Sequence, residues 1–173
     1  MDAAVRVLET ERLILDRLSH DDAKFILELL NEPSFIRFIG DKGVRTVEDA
    51  REYLSNGPIR SYGLYGYGLF LARLKEGRSR IGICGLVKRD ELQDPDVGFA
   101  FLPAYWSQGY AAESAAAVLH YSREQLGISR IVAITAPDNH SSIKLLCKLG
   151  LSFERLIRLP DDPKEIRLYA ADV

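Results

Sequence analysis

Cysteine is scarce in this chain of 173 residues: Cys84 and Cys147 stand far apart, without the C-x2-C spacing of a zinc site or the numbers of a disulfide framework. A reducing cytoplasm is the simplest setting. An excess of charge of one sign is also missing: 23 Lys and Arg face 25 Asp and Glu, for a formal net charge of -2. That balance argues against a protein that depends on phosphate-backbone attraction, so no nucleic-acid partner is expected. No uninterrupted apolar run approaches the ~20 residues needed to cross a bilayer, and Met1 to Arg6 shows no apolar segment followed by a cleavage site. Neither a membrane-spanning nor a secreted protein is expected. Internal repeats, linkers and low-complexity tracts are lacking too, and 47% hydrophobic with 28% charged residues is an ordinary globular mix. One domain, residues 1–173, is expected to bury its core without disulfides or a structural metal.

Punctuation and periodicity divide the chain. Arg12 to Leu18 reads as a strand, and Ser19 stands as an N-cap before Asp21-Asp22, with Ala23, Ile26, Leu27 and Leu30 following at helical spacing. Pro33 is expected to close that helix. Thr46 and Asp49 form a capping-box pattern for a second helix carrying Ala50, Tyr53 and Leu54, which Gly57-Pro58 is expected to end. Three hairpin-connected strands follow, Tyr67 to Leu74, Arg80 to Arg89 and Asp96 to Leu102. A helix from about Ala111 to Leu126 presents small residues, Ala111, Ala115, Val118 and Ser122, on one face and stops at Gly127. The rest reads as a strand (Arg130 to Ala136), a short helix (Ser141 to Leu149), and two strands (Phe153 to Leu159, Glu165 to Ala170) around the turn Pro160-Asp161-Asp162-Pro163. The order β-α-α-β-β-β-α-β-α-β-β implies a mixed sheet in an α+β or α/β domain.

One junction carries chemistry. After the strand ending near Leu102, Ser107-Gln108-Gly109-Tyr110-Ala111-Ala112 meets the start of the long helix. There, backbone N-H groups lack intrahelical partners and the helix dipole favours an anion. A phosphate P-loop is excluded because no Lys-Ser or Lys-Thr follows a glycine loop. Gly66-Tyr67-Gly68 opens a dinucleotide fingerprint, but Leu71 occupies the place of its third glycine.

Three stretches, Thr10-Glu11-Arg12-Leu13, Tyr105-Trp106-Ser107-Gln108-Gly109-Tyr110-Ala111-Ala112-Glu113 and Pro137-Asp138-Asn139-His140-Ser141-Ser142 with Lys148-Leu149-Gly150, resemble the GNAT acetyltransferases. The resemblance runs along nearly the whole chain and is nearest to the branch that includes the ribosomal-protein N-terminal alanine and serine acetyltransferases. It implies a central, mostly antiparallel mixed sheet of about seven strands, splayed between the fourth and fifth, and flanked by about four helices. It also implies acetyl-CoA as donor and an amine as acceptor. The family's loop Gln/Arg-x-x-Gly-x-Gly/Ala places Trp106 first, Gly109 fourth and Ala111 sixth. With Trp106 replacing a cation or amide, the pyrophosphate is expected to depend on backbone amides from Gln108 to Ala112, with Ser107 beside them and little help from a side-chain cation. The pantetheine arm is expected along Phe99 to Leu102, with contacts at Phe101 and Leu102, and to meet Asn139 and Ser142 on the far side.

Amine acetylation needs a neutral amine, and at neutral pH a proton must first be removed from an α-amino group (pKa ~8) or a lysine (~10.4). Asp96 matches the family's acidic residue two positions before the strand glycine, Gly98, and stands first as the base, ahead of Glu91 and Asp94. Glu113, in the first turn of the long helix, reads as structural. Leu146 occupies the place where many members carry a tyrosine acid, and Ser142 matches a serine assigned that part in the resembling branch; helix capping is an equal reading for it. Cys147 reads as core, and His140 beside two serines lacks a hydrolase elbow. Tyr62, Tyr65 and Tyr67 form either an acceptor wall or a core edge. The expected acceptor is a protein N-terminus, with a small-molecule amine (polyamine, amino acid, aminoglycoside) or a non-catalytic CoA-binding domain as alternatives. Monomer and homodimer are both open.

Overall fold

The computed structural model describes residues 4–160 and 162–173; Asp161 of the expected turn, and residues 1–3 of the segment read for a leader, lie outside the described residues. Among the described residues eight strands form one sheet: β1 (Arg6–Glu9), β2 (Leu13–Arg17), β3 (Leu69–Leu74), β4 (Arg80–Val87), β5 (Asp96–Phe101), β6 (Arg130–Thr135), β7 (Ser152–Ile157) and β8 (Ile166–Asp172). They lie in the order β1-β2-β3-β4-β5-β6-β8-β7, antiparallel throughout except for the pair β5 and β6. Six α-helices accompany them: α1 (Ala23–Leu30), α2 (Pro33–Phe38), α3 (Val47–Leu54), α4 (Arg60–Tyr65), α5 (Tyr110–Glu124) and α6 (His140–Lys148).

The element order agrees with the sequence reading, and the excess over it has local causes. β1 is a four-residue edge strand with no buried position, so its sequence carries no clear alternation. Pro33 does not merely end a helix. It takes the N1 position of α2, where its fixed φ suits the first turn and its missing N-H is no loss. Likewise Gly57-Pro58 does not stop α3: a π-type turn at Ser55–Ile59 absorbs the proline and leads into α4, which Gly66 ends in the left-handed conformation.

Both faces of the sheet are covered. On one, Ala115, Val118 and Leu119 of α5 pack over Phe70, Ala72, Cys84, Val97 and Phe101; on the other, Ile26, Leu29 and Leu30 of α1 with Ala50 and Leu54 of α3 pack over Leu71 and Ile83. The small side chains of α5 keep that helix near the strands, and its two buried hydroxyls bond back within the helix, Ser114 to Tyr110 O at 2.9 Å and Ser122 to Val118 O at 2.6 Å. α5 therefore starts against the end of β5, beside the one weak seam in the sheet. β5 and β6 share only the pair Asp96 and Val132, with Val132 N-H donating to Pro95 O at 3.0 Å. Beyond that pair the two parallel strands separate.

Candidate functional site

The loop into α5 alternates left-handed residues, Ser107 (φ 59°) and Gly109 (φ 85°), around Gln108. Such alternation gathers successive N-H groups into a concavity suited to anions. Among the described residues the amides of Ser107, Gln108, Gly109, Tyr110, Ala111 and Ala112 donate to no protein group; the first to do so is Glu113, to Gly109 O at 3.0 Å. Free donors at the positive end of a 15-residue helix match the charge and acceptor number of a diphosphate. Gly109 is required twice over, since a side chain would suffer its positive φ and would meet Arg12 Nη2 at 3.2 Å.

Arg12 is the surprise. It enters from the start of β2, donates from Nε to Glu113 Oε2 (2.7 Å) and from Nη1 to the Gln108 carbonyl (2.9 Å), and lies 4.4 Å from the Tyr110 ring centroid. Glu113 Oε1 accepts in addition from Thr10 Oγ1 (2.6 Å) and Arg12 N (2.8 Å). Burial pushes the Glu113 carboxyl up, but the bonds from Thr10 and Arg12 outweigh it and hold the group below the usual range. A side-chain cation thus stands beside this loop, with its Nε and Nη1 committed to Glu113 and Gln108.

Trp106 itself reaches back: its Nε1-H donates to the Phe101 carbonyl at 2.8 Å, while the ring stays 48% exposed. The Leu102 N-H bonds Ile81 O at 2.9 Å, so with the β4 register Asp96, Gly98 and Ala100 turn their backbone groups toward β4. Val97, Phe99 and Phe101 turn theirs toward the gap. Free for an extended ligand arm are both backbone groups of Phe99 and the N-H of Phe101. Leu102, the other expected contact, has both backbone groups partnered: its N-H donates to Ile81 O and its carbonyl accepts from Tyr105 N-H at 3.0 Å, with its side chain packed toward α1 and α3.

Across the gap, α6 is capped by Asn139, whose Oδ1 accepts from Ser142 N-H at 3.2 Å. Ser142 is therefore the capped residue rather than the cap, and among the described residues its hydroxyl has no protein partner. Leu146 is 1% exposed within the core beside Ala133 and Tyr169, so that position faces inward. Cys147, expected in the core, is exposed. The helix rotation that buries Leu146 turns its neighbour outward.

Asp96 sits at the closed end of the gap, 2% exposed, with Oδ2 accepting from Arg89 Nε at 2.7 Å. Asp96 is the β5 residue at which pairing with β6 ceases. Burial, opposed by Arg89, pushes its carboxyl up to about 6. The other carboxylates weighed lie elsewhere: Asp94 pairs with Arg130 Nε at 3.2 Å, and Glu91 is exposed. On the α3 side of the sheet a groove of about 420 Å³ runs between α3, α4 and the end of β4, with Tyr53, Arg60, Tyr65, Lys88 and Asp90 among its walls. It reaches Val87, the register partner of Asp96. Tyr62 is not part of this wall. Its hydroxyl is committed between Leu18 N-H and the Leu69 carbonyl, and its ring stacks on Phe70.

Residues 12–152 match the family model described as "Acetyltransferase (GNAT) domain". The chain belongs to the GNAT acetyltransferases. It is 29% identical over 154 residues to the uncharacterized N-acetyltransferase YoaA of Bacillus subtilis, covering 88% of this chain and 86% of that one. Its fold is similar to that of RimL, a ribosomal alpha-N-protein acetyltransferase in complex with coenzyme A (TM-score 0.82, 17% identity, 97% and 98% of the two chains). It is also similar in fold to a chimera of the spermidine N-acetyltransferase SpeG from Vibrio cholerae and hSSAT (TM-score 0.75, 16% identity, 92% and 95%).

As a GNAT N-acetyltransferase the chain uses acetyl-CoA as its donor, and the fold is of the expected α+β class with the sheet splayed where the resemblance placed the splay. The eight-strand count makes that pair β5 and β6. The fold brings the α5 loop, the gap-facing backbone of β5, and Asn139 with Ser142 to one seam. Two residues with direct bonds to this machinery, Arg12 and Arg89, escaped sequence reading. For Arg12 the signal was present: a cation within the Thr10-Glu11-Arg12-Leu13 stretch and an acid, Glu113, in the first turn of the helix it meets.

Proposed function

We propose that this chain transfers the acetyl group of acetyl-CoA to a protein N-terminal amine by direct attack in the cytoplasm, without a covalent enzyme intermediate. In this reading the amides from Ser107 to Ala112 hold the pyrophosphate, and Phe99, Phe101 and Asn139 hold the pantetheine arm. When bound, acetyl-CoA supplies the thioester whose acetyl group the amine takes. Asp96 takes the proton from the amine through water, because its carboxylate is too enclosed for direct contact, and its pKa of about 6 leaves it ionised at neutral pH. The free hydroxyl of Ser142 donates the proton that the departing thiolate needs. The observation that carries the reading is the alignment of six unpartnered amides with a strand edge open to the gap.

The acceptor reaches Asp96 along the groove between α3, α4 and β4. That groove pairs two cations, Arg60 and Lys88, with one carboxylate, Asp90, and so lacks the acidic lining that a polyamine or aminoglycoside calls for. An amine carrying a single positive charge suits it better, which favours a peptide N-terminus and leaves an amino acid as the second choice. Thiol release from acetyl-CoA, measured across N-terminal peptides, amino acids, spermidine and an aminoglycoside, tests this. Peptides should turn over with kcat/KM at least about tenfold above the polycations, the consequence of ~1.4 kcal/mol of discrimination. Preferred turnover of spermidine would overturn the acceptor assignment while leaving the donor site standing.

A further inference from the structure

Resting on that reading of the donor loop, we propose that Arg12 is a positioning residue for the pyrophosphate: it presets the amide cradle and cancels the charge of Glu113 beside it. Two observations require something of this kind. First, the cradle depends on Ser107, a residue with a Cβ held at φ 59°, followed by a second left-handed residue, Gly109. Left-handed backbone at a non-glycine residue needs surrounding structure to hold it. The Gln108 carbonyl lies between the two and is gripped by Arg12 Nη1, and the guanidinium also lies against Tyr110, the first residue of α5. One planar group thereby ties the loop and the start of α5 to β2 at two points.

Second, Glu113 stands in the first helical turn, where its charge suits the dipole of the empty helix but opposes an incoming diphosphate. Arg12 neutralises it at 2.7 Å, and Thr10 Oγ1 and Arg12 N turn the other carboxylate oxygen toward β2. The forked guanidinium bonds Gln108 O and Glu113 at once from two separate nitrogens, a spread that a single ammonium matches less well. The family's loop carries its polar residue at the first position, which here is Trp106. In this chain the indole holds the Phe101 carbonyl instead, and the cation arrives from a strand about a hundred residues earlier in sequence.

The two partners should respond with opposite sign, and this separates positioning from mere bracing. CoA and pantetheine, which lacks the pyrophosphate and nucleotide, are titrated against the wild-type protein, Arg12→Ala, Arg12→Lys, Glu113→Gln and the double variant Arg12→Ala/Glu113→Gln, with melting temperatures recorded without ligand. Arg12→Ala should weaken CoA by about tenfold or more, the scale of a lost hydrogen bond to a charged group, and leave pantetheine unchanged. Arg12→Lys should fall between it and wild type. Glu113→Gln should bind CoA as tightly as wild type or more tightly, and the double variant should regain part of what Arg12→Ala loses. If Arg12→Ala binds CoA normally, or if both single changes weaken CoA in step with a lower melting temperature, the proposal fails. If wild type binds CoA no more tightly than pantetheine, the donor-loop reading itself fails.

Discussion

The donor end and the acceptor end of this seam are built from different materials. At the donor end the binding groups are backbone amides, exposed, unpartnered and preset by two left-handed residues. Toward the acceptor end the central group is a side chain, Asp96, buried to 2% and already committed to Arg89. Backbone donors need no particular side chain of their own; they depend on the loop's shape and on the charge beside it, which Arg12 governs here. A buried carboxylate depends on every group around it, and both its charge and its pKa follow from the company it keeps. The donor end should therefore fail mainly when its space or sign is violated, whereas the acceptor end should fail by degrees with pH.

The largest effect is expected from Gly109→Glu. The new side chain would have to adopt a positive φ, would meet Arg12 Nη2, and would place a negative charge among six amides meant for an anion. Stabilisation of the protein by CoA in a melting scan should disappear, with CoA affinity reduced by more than about a hundredfold, or ~2.7 kcal/mol. Wild-type affinity in this variant would show that the pyrophosphate lies elsewhere.

Next in size is Asp96→Asn, which keeps shape and removes the base. A positioned general base contributes ~10²–10⁴-fold, so kcat should fall by about that factor while CoA affinity holds. The pH dependence gives the sharper test. With the Asp96 carboxyl near 6, wild-type kcat/KM should climb through pH 6 as the carboxylate ionises, and this limb should vanish in the variant. Stability runs the other way. A folded-state pKa raised from 3.8 means that the protonated form is favoured by folding, so the contribution is complete below 3.8 and is lost as pH rises through about 6. Asp96→Asn should flatten the melting temperature across that window, and an unchanged slope would mean that Asp96 does not titrate there.

The same contrast explains what could be read from the chain alone. The donor loop announced itself because its signal is local: a glycine, small residues and a helix start lie within six positions, and the amides need no particular side chain. Strands β3 to β6 and helices α5 and α6 were equally plain, since apolar periodicity sets them residue by residue. What stayed hidden was the non-local and the cooperative. No spacing rule couples Arg12 to Glu113 across 101 positions, or turns Arg89 back onto Asp96 from a loop. The backbone of Leu102 is illegible for a related reason: whether a backbone group is free depends on the register with β4, and only the bond to Ile81 settles its direction. Proline punctuation misled at Pro33 and Pro58, because a proline that ends one helical pattern can equally start or sit within the next.

Asn139 and Ser142 lie between the two ends and should separate cleanly by measurement. Asn139 Oδ1 holds the Ser142 amide, so Asn139→Ala removes a helix cap and should cost about 1 kcal/mol of stability. Ser142→Ala leaves that amide and its acceptor intact. It deletes a hydroxyl that has no protein partner among the described residues, so stability should stay within ~0.5 kcal/mol of wild type. If the hydroxyl protonates the leaving thiolate, kcat should drop by a modest factor, about tenfold, since a thiolate leaves tolerably well with water as donor. The KM for acetyl-CoA should not move. A Ser142→Ala protein that melts like Asn139→Ala would show that the hydroxyl braces the start of α6 rather than serving the chemistry. One that keeps full kcat would show that the proton comes from water, and the acceptor end would then retain a single protein group in the chemistry, Asp96.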